Sequence, residues 1–204
     1  MSVRVKICGV TRPEDAERAV RLGADIVGLN FYERSRRYVG LDAARRIVAA
    51  IPDPVWRVGV FVNATREQIE EIRSALALTA IQLHGDEPAE LLRGWPCPVI
   101  RAIRLACPTD VETALAEYQP DHFLFEGKAG GGYGGGGETF DWSWVRPAPA
   151  DRLFLAGGLT PENVAEAVRT LRPFAVDAAS GVESAPGIKD ESKMQELIHN
   201  AKAA

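Results

Sequence analysis

Short apolar runs rich in β-branched and aromatic residues recur eight times along the chain. They are Val3 to Cys8, Ile26 to Asn30, Val58 to Val62, Ala80 to Leu83, Val99 to Ile103, Phe123 to Glu126, Leu153 to Ala156 and Ala175 to Ala178. Their starts lie 19 to 32 residues apart, which suits a strand followed by a crossover helix and is too long for hairpins. A parallel sheet is expected. Eight such units in 204 residues point to a closed (β/α)₈ barrel, whose functional site sits at the C-terminal ends of the strands. The alternative is an open doubly wound sheet, for which eight regular units would be unusual. No linker or shift in composition divides the sequence, so residues 1–204 read as one domain.

The stretches between the runs carry helix start signals. Thr11 with Glu14, Thr65 with Gln68 and Thr109 with Glu112 have the capping-box spacing, and Thr160-Pro161 places an N-cap before a first-turn proline. Between Glu67 and Leu78, Ile69, Ile72 and Leu76 fall on one helical face; Met194, Leu197, Ile198 and Ala201 do the same in a closing helix from Asp190 to Ala201. Gly127 to Gly137 holds eight glycines in eleven residues. It satisfies GxGxxG by its richness alone, no helix opens after it, and Glu138 stands where a Walker loop has Lys. It reads as a βα loop at the barrel mouth, a position that fits a mobile lid.

The net charge is -4, with 24 basic and 28 acidic side chains and no basic run longer than a pair. A nucleic acid or anionic membrane bound through bulk charge is not expected. Any anionic small molecule must be caught locally. The N-terminal residues lack a signal-peptide apolar core and no run approaches ~18 apolar residues, so a cytoplasmic location is expected. Cys8, Cys97 and Cys107 are far apart and form no CxxC pair, which suggests free thiols, neither a disulfide framework nor a metal site.

At the strand ends, the polar candidates are Cys8, Asn30, Asn63, Gln82 with His84, Arg101, Glu126, Gly157-Gly158, and Asp177 with Ser180-Gly181. A thiol and a carboxyl facing each other across a barrel mouth make a base and acid pair. Burial would raise the carboxyl pKa and a polarising environment would lower that of the thiol. The loops after the seventh and eighth strands, Gly157-Gly158 and Ser180-Gly181, suit a phosphate, since glycines let backbone donors approach its oxygens and a helix N-terminus adds favourable potential. Tight turns would use glycine equally well. Arg36 and Arg37 follow the second strand, where a guanidinium fork could grip a carboxylate. His122 and His199 read as surface residues, while His84 is open between a structural and a ligand contact.

Seven strings in register from Val5 to the region of Pro186-Gly187 resemble the phosphoribosylanthranilate isomerase family of tryptophan biosynthesis. They are Val5-Lys6-Ile7-Cys8-Gly9, Ser35-Arg36-Arg37-Tyr38, Val58-Gly59-Val60-Phe61-Val62, Gln82-Leu83-His84-Gly85, Phe140-Asp141-Trp142, Gly157-Gly158-Leu159 with Pro161-Glu162-Asn163, and Val176-Asp177 with Ser180-Gly181-Val182-Glu183. The resemblance implies a (β/α)₈ barrel and an Amadori rearrangement of N-(5-phosphoribosyl)anthranilate to the 1-deoxyribulose 5-phosphate derivative. It implies that Cys8 is the general base at C2 of the sugar and that position 126 holds the acid for the ring oxygen. Arg37 matches the residue at the anthranilate carboxylate, Gly157, Gly158, Ser180 and Gly181 match the phosphate loops, and Gln82 and Asp177 complete the expected substrate contacts. No metal or organic cofactor is implied, because the substrate's nitrogen is the electron sink. The copy number is open between monomer and homodimer.

One departure matters: the family pattern has Asp at the acid position, and this chain has Glu126. The extra methylene moves the carboxyl by ~1.5 Å, where a misplacement of about 1 Å can cost on the order of 100-fold in rate. Two rivals stand beside this reading. An epimerase or Mg²⁺-dependent synthase would need clustered metal-binding side chains, which Cys8 and Glu126 do not provide. A phosphate-binding barrel without catalysis is kept in view by the substituted acid position.

Overall fold

The computed structural model describes residues 2–128 and 139–204. Eight parallel strands close into a barrel: β1 (Arg4–Cys8), β2 (Ile26–Asn30), β3 (Trp56–Phe61), β4 (Ala80–Leu83), β5 (Val99–Leu105), β6 (His122–Gly127), β7 (Leu153–Leu155) and β8 (Ala175–Ala178). The ring shuts where β8 pairs with β1, with Asp177 opposite Lys6. Every expected run is a strand of the barrel.

Side chains alternate between the two faces of each strand. Ile26, Val58, Ala80, Ile100, Leu124, Phe154 and Ala175 pack inside the barrel, while their sequence neighbours Val27, Ile81, Val99, Phe123, Leu155 and Val176 belong to the larger core beneath the helices. The N-terminal end is plugged by aromatic rings. The Arg4 guanidinium lies 5.1 Å from the Trp56 ring and 4.7 Å from Phe174, and His122 stacks on Phe174 at 4.3 Å. His122 is therefore part of this plug and not a surface residue. Burial pushes its imidazole below its ordinary range.

Among the described residues there are six α-helices: α1 (Pro13–Arg21), α2 (Leu41–Ala49), α3 (Arg66–Ala75), α4 (Thr109–Glu117), α5 (Val164–Leu171) and α6 (Glu191–Lys202). The crossover from β4 to β5 has only the 3₁₀ turn Ala89–Leu92, and the described part of the β6 to β7 crossover has only Trp142–Val145 and Ala150–Arg152. Pro88, Pro96 and Pro98 break the first, and Pro147 and Pro149 the second, because proline clashes with a continuing helix and removes a donor. None of these helices is long and apolar enough to cross a membrane. Two short strands, β9 (Glu183–Ala185) and β10 (Ile188–Lys189), form a hairpin before α6 that the sequence did not signal.

Of the three capping boxes, only Thr65 with Gln68 forms, each side chain accepting from the other's backbone N–H. Pro13 opens α1, so Arg12 takes the cap position and the Thr11 hydroxyl donates instead to the Gly187 carbonyl at 2.6 Å. In α4 Thr109 is already helical, and Asp110 accepts from the N–H groups of Ala106 and Cys107. After β7 the helix starts at Val164, later than Thr160-Pro161 suggested. Asn163 ties the intervening turn, accepting from Thr160 N and donating to Gly158 O, both at 2.9 Å.

Candidate active site

A cleft opens at the C-terminal end of the barrel. Its walls include Cys8, Asn30, Arg37, Gln82, His84 and Glu126, together with Gly157, Gly158, Asp177, Ser180 and Gly181. All nine expected catalytic and substrate-contact residues thus line one space. Arg101 and Asn63 do not. Arg101 sits one residue out of phase with Ile100 and Ala102, lies 4.6 Å from the Tyr118 ring, and is held by Glu87 at 2.6 Å. Glu87 also accepts from the N–H of Asn63 at 2.8 Å.

A buried polar chain crosses the floor of the cleft. Lys6, with no exposed surface, donates to Asp177 Oδ2 at 2.8 Å and to Gln82 Oε1 at 2.9 Å. Gln82 Nε2 contacts His84 Nδ1 at 2.8 Å, and His84 Nε2 contacts Glu126 Oε1 at 2.8 Å. Sequence reasoning gave Lys6 no role, although it lies two residues before Cys8 and so on the same face of β1. Asp177 Oδ1 is buried without a hydrogen-bond partner among the described residues.

The electrostatics reverse both pKa expectations. Burial and the negative Asp177 push the Cys8 thiol above its ordinary value, outweighing the nearby Lys6 ammonium. Burial also pushes the Glu126 carboxyl up, but His84, Arg104 and Lys6 together pull it below its ordinary value. Lys6 is disfavoured by burial, yet Asp177 and Cys8 hold its ammonium above the ordinary range.

Arg37 is not a free fork. Its Nε and Nη2 donate in parallel to the two carboxylate oxygens of Glu183, at 2.8 and 2.7 Å. That pairing raises the guanidinium further and leaves the Nη1 edge for a ligand. Glu183 also accepts from the buried Lys189 ammonium at 2.9 Å. Burial lifts the Glu183 carboxyl, but these two cations bring it below its ordinary range. Glu183 lies 146 residues from Arg37 in the chain, and nothing local marks the pair.

The two glycine loops meet. Gly157 and Gly158 both have positive φ, at 84° and 63°, a backbone that glycine adopts without penalty. A Cβ on Gly181 would overlap the Leu159 carbonyl, so the loop after β8 can approach the loop after β7 only with glycine there. α5 begins six residues beyond Gly158, so its N-terminus is not the direct continuation of this turn. The lid expected at Gly127 to Gly137 falls, apart from Gly127 and Lys128, outside the described residues. Among the described residues, no group of three His, Cys, Asp or Glu side chains is arranged to hold a metal ion.

Comparison with known proteins brings sequence and geometry together. The family profile described as N-(5'phosphoribosyl)anthranilate (PRA) isomerase matches residues 5–200. The chain is 49% identical to the N-(5'-phosphoribosyl)anthranilate isomerase of Myxococcus xanthus, covering 100% of this chain and 98% of that one. A crystal structure of phosphoribosyl anthranilate isomerase from Thermotoga maritima superposes with a TM-score of 0.90 at 47% identity, over 99% of this chain and 100% of that one. The Thermus thermophilus enzyme gives 0.88 at 40% identity, over 98% and 99%. The family profile, the superposed barrel and similarity over nearly the full length agree: the chain belongs to the N-(5'-phosphoribosyl)anthranilate isomerase family.

Proposed function

We propose that Cys8 is the general base and Glu126 the general acid of the reaction this family performs, the Amadori rearrangement of phosphoribosylanthranilate in tryptophan biosynthesis. The observation that carries the assignment is that the Cys8 thiol and the acid-position carboxyl line the same cleft, from β1 and β6. Glu126 gives its proton to the furanose ring oxygen, and the C1–O bond breaks to leave a 4-hydroxyl and a Schiff base with the anthranilate nitrogen. The iminium acidifies the neighbouring C2–H. Cys8 takes that proton, the electron pair moves into the C1–C2 bond, and the enolamine tautomerises to the ketone. No atom is gained or lost.

The substrate's anions need local donors because the chain is net negative. Arg37 offers its Nη1 edge to the anthranilate carboxylate, and the glycine turns at Gly157, Gly158, Ser180 and Gly181 bring backbone donors close to the phosphate. Asp177 Oδ1, without a hydrogen-bond partner among the described residues, accepts from the substrate's amine or a sugar hydroxyl. Gln82 borders the same floor. Glu126 reaches the ring oxygen with a longer side chain than the family's Asp, and its contact with His84 fixes where the carboxyl stands.

The test follows the fluorescence decay of freshly made phosphoribosylanthranilate. Cys8→Ser and Cys8→Ala should abolish turnover while product affinity stays within about threefold, because the base acts on a proton and contributes little to ground-state binding. An unchanged kcat in Cys8→Ser refutes the assignment.

A further inference from the structure

We propose that Gln82 is a positioning residue that fixes the hydrogen-bond polarity of the His84–Glu126 pair, holding the imidazole as the Nε2–H tautomer with its donor aimed at the Glu126 carboxyl. This rests on the reading of Glu126 as the acid. It goes beyond that reading by naming what sets the donor that faces Glu126.

The argument starts at Lys6, because an ammonium can only donate. The Gln82 atom 2.9 Å from Lys6 Nζ must therefore be the carbonyl oxygen, and the amide NH₂ must face His84. An N–H donor 2.8 Å from Nδ1 requires a lone pair on that nitrogen. The ring proton then sits on Nε2, which points at Glu126 Oε1 from 2.8 Å. Polarity runs one way across the floor. The Lys6 ammonium donates to the Gln82 carbonyl, the Gln82 amide to Nδ1, and Nε2–H to the Glu126 carboxyl.

A second proton on His84 would sit on Nδ1, against the Gln82 NH₂. Turning the amide to accept it would set NH₂ against the Lys6 ammonium, breaking a hydrogen bond to a charged group and creating a donor–donor contact. The charged groups around the pair come from four strands. Lys6 and Cys8 stand on β1, Arg104 on β5, Glu126 itself on β6 and Asp177 on β8; Asp86, just past β4, pairs with Arg104 at 2.9 Å. None offers Nδ1 an alternative acceptor among the hydrogen bonds described. His84 therefore donates through Nε2–H, which stabilises the carboxylate Glu126 becomes once it has released its proton.

Gln82→Glu is the discriminating variant, because it keeps the Lys6 contact and the side-chain shape but presents an acceptor to Nδ1. Nitrogen-15 spectra of imidazole-labelled protein at pH 7, with His84 assigned by His84→Gln, should show the Nε2–H tautomer in the native chain. In Gln82→Glu both ring nitrogens should be protonated. The kcat of that variant should fall about 10- to 100-fold, part of the ~10²–10⁴ that a general acid supplies, with KM within about threefold and the high-pH limb of kcat moved to lower pH. An Nδ1–H tautomer or an imidazolium in the native chain overturns the proposal, and that measurement needs no variant to fold. So does a Gln82→Glu protein whose His84 is doubly protonated but whose kcat and pH limbs are unchanged. Glu126→Gln measured in parallel separates the two claims. If it is near normal, the acid assignment fails whatever the nitrogen spectra show.

Discussion

Replacing Glu126 by Gln removes the transferable proton and little else. The carboxamide oxygen can still accept from His84 Nε2–H at the 2.8 Å the carboxylate now occupies, so the side chain should stay in place. What is lost structurally is the charge assistance of one hydrogen bond, on the order of 1 kcal/mol. For a chain of this size each kcal/mol moves Tm by roughly 2–4 °C, so Tm should shift by less than about 5 °C. The chemical loss is larger. A positioned general acid contributes about 10²–10⁴ in rate, or roughly 2.7–5.5 kcal/mol of barrier, and the loss should appear in kcat with KM nearly constant. The assay is the fluorescence decay of the substrate, run beside a thermal melt of the same sample. A Glu126→Gln protein that melts normally and turns over within threefold of the native rate refutes the acid role. Glu126→Asp is the companion, since it keeps the proton while withdrawing the carboxyl by ~1.5 Å. The His84 contact then stretches from 2.8 Å to ~4.3 Å, beyond hydrogen-bond reach, and kcat should stay well above that of Glu126→Gln.

Lys6→Met leaves Asp177 buried and unpaired, a loss of about 3–5 kcal/mol. By the same scaling that lowers Tm by roughly 6–20 °C, and Lys6→Met/Asp177→Asn should recover most of it; a single variant within 2 °C of the native Tm contradicts the pairing. Because the Lys6 ammonium is held above its ordinary 10.5, its stabilisation is complete below that pH and fades as pH rises through the raised value. Glu183→Gln unlocks the Arg37 guanidinium and should raise KM at least about tenfold, the weakest loss expected for a hydrogen bond to a charged group, with kcat nearly unchanged; an unaltered KM removes the buttressing role. The Cys8 thiol lies above its ordinary 9.0, so its alkylation by iodoacetamide, followed by mass spectrometry, should still be accelerating at that pH. A plateau by pH 8 contradicts the raised thiol.

The barrel was legible because its signal is local and repeated: eight apolar runs at a spacing that only a crossover connection fills. The strand-end rule then found the cleft's residues, yet it also admitted Arg101 and Asn63. A stricter use of the two-residue period would have removed Arg101, since Ile100 and Ala102 face the barrel interior and Arg101 cannot share their side. The same period, counted back from Cys8, would have drawn in Lys6. Other partners carry no local trace. His84 and Glu126 are 42 residues apart and Arg37 and Glu183 are 146 apart, so their charge pairing exists only once the barrel has formed. That is why the Glu126 direction argued from burial alone was reversed. Capping boxes misled for a nearer reason: Pro13 and Pro108 fix the first turn before the threonines can cap it.

Lys6 and Asp177, joined at 2.8 Å across 171 residues, belong to the first and last strands of the ring. During synthesis the ribosome delivers Lys6 almost at once and its counter-ion only after seven-eighths of the barrel has emerged. Until then Lys6 has no carboxylate beside it, and the floor that sets Gln82, His84 and Glu126 has no anchor at its far end. Chemistry in this fold therefore switches on at ring closure: fragments that stop before β8 should be inert even where Cys8 and Glu126 are both present, and a complementing C-terminal piece should restore activity by supplying Asp177.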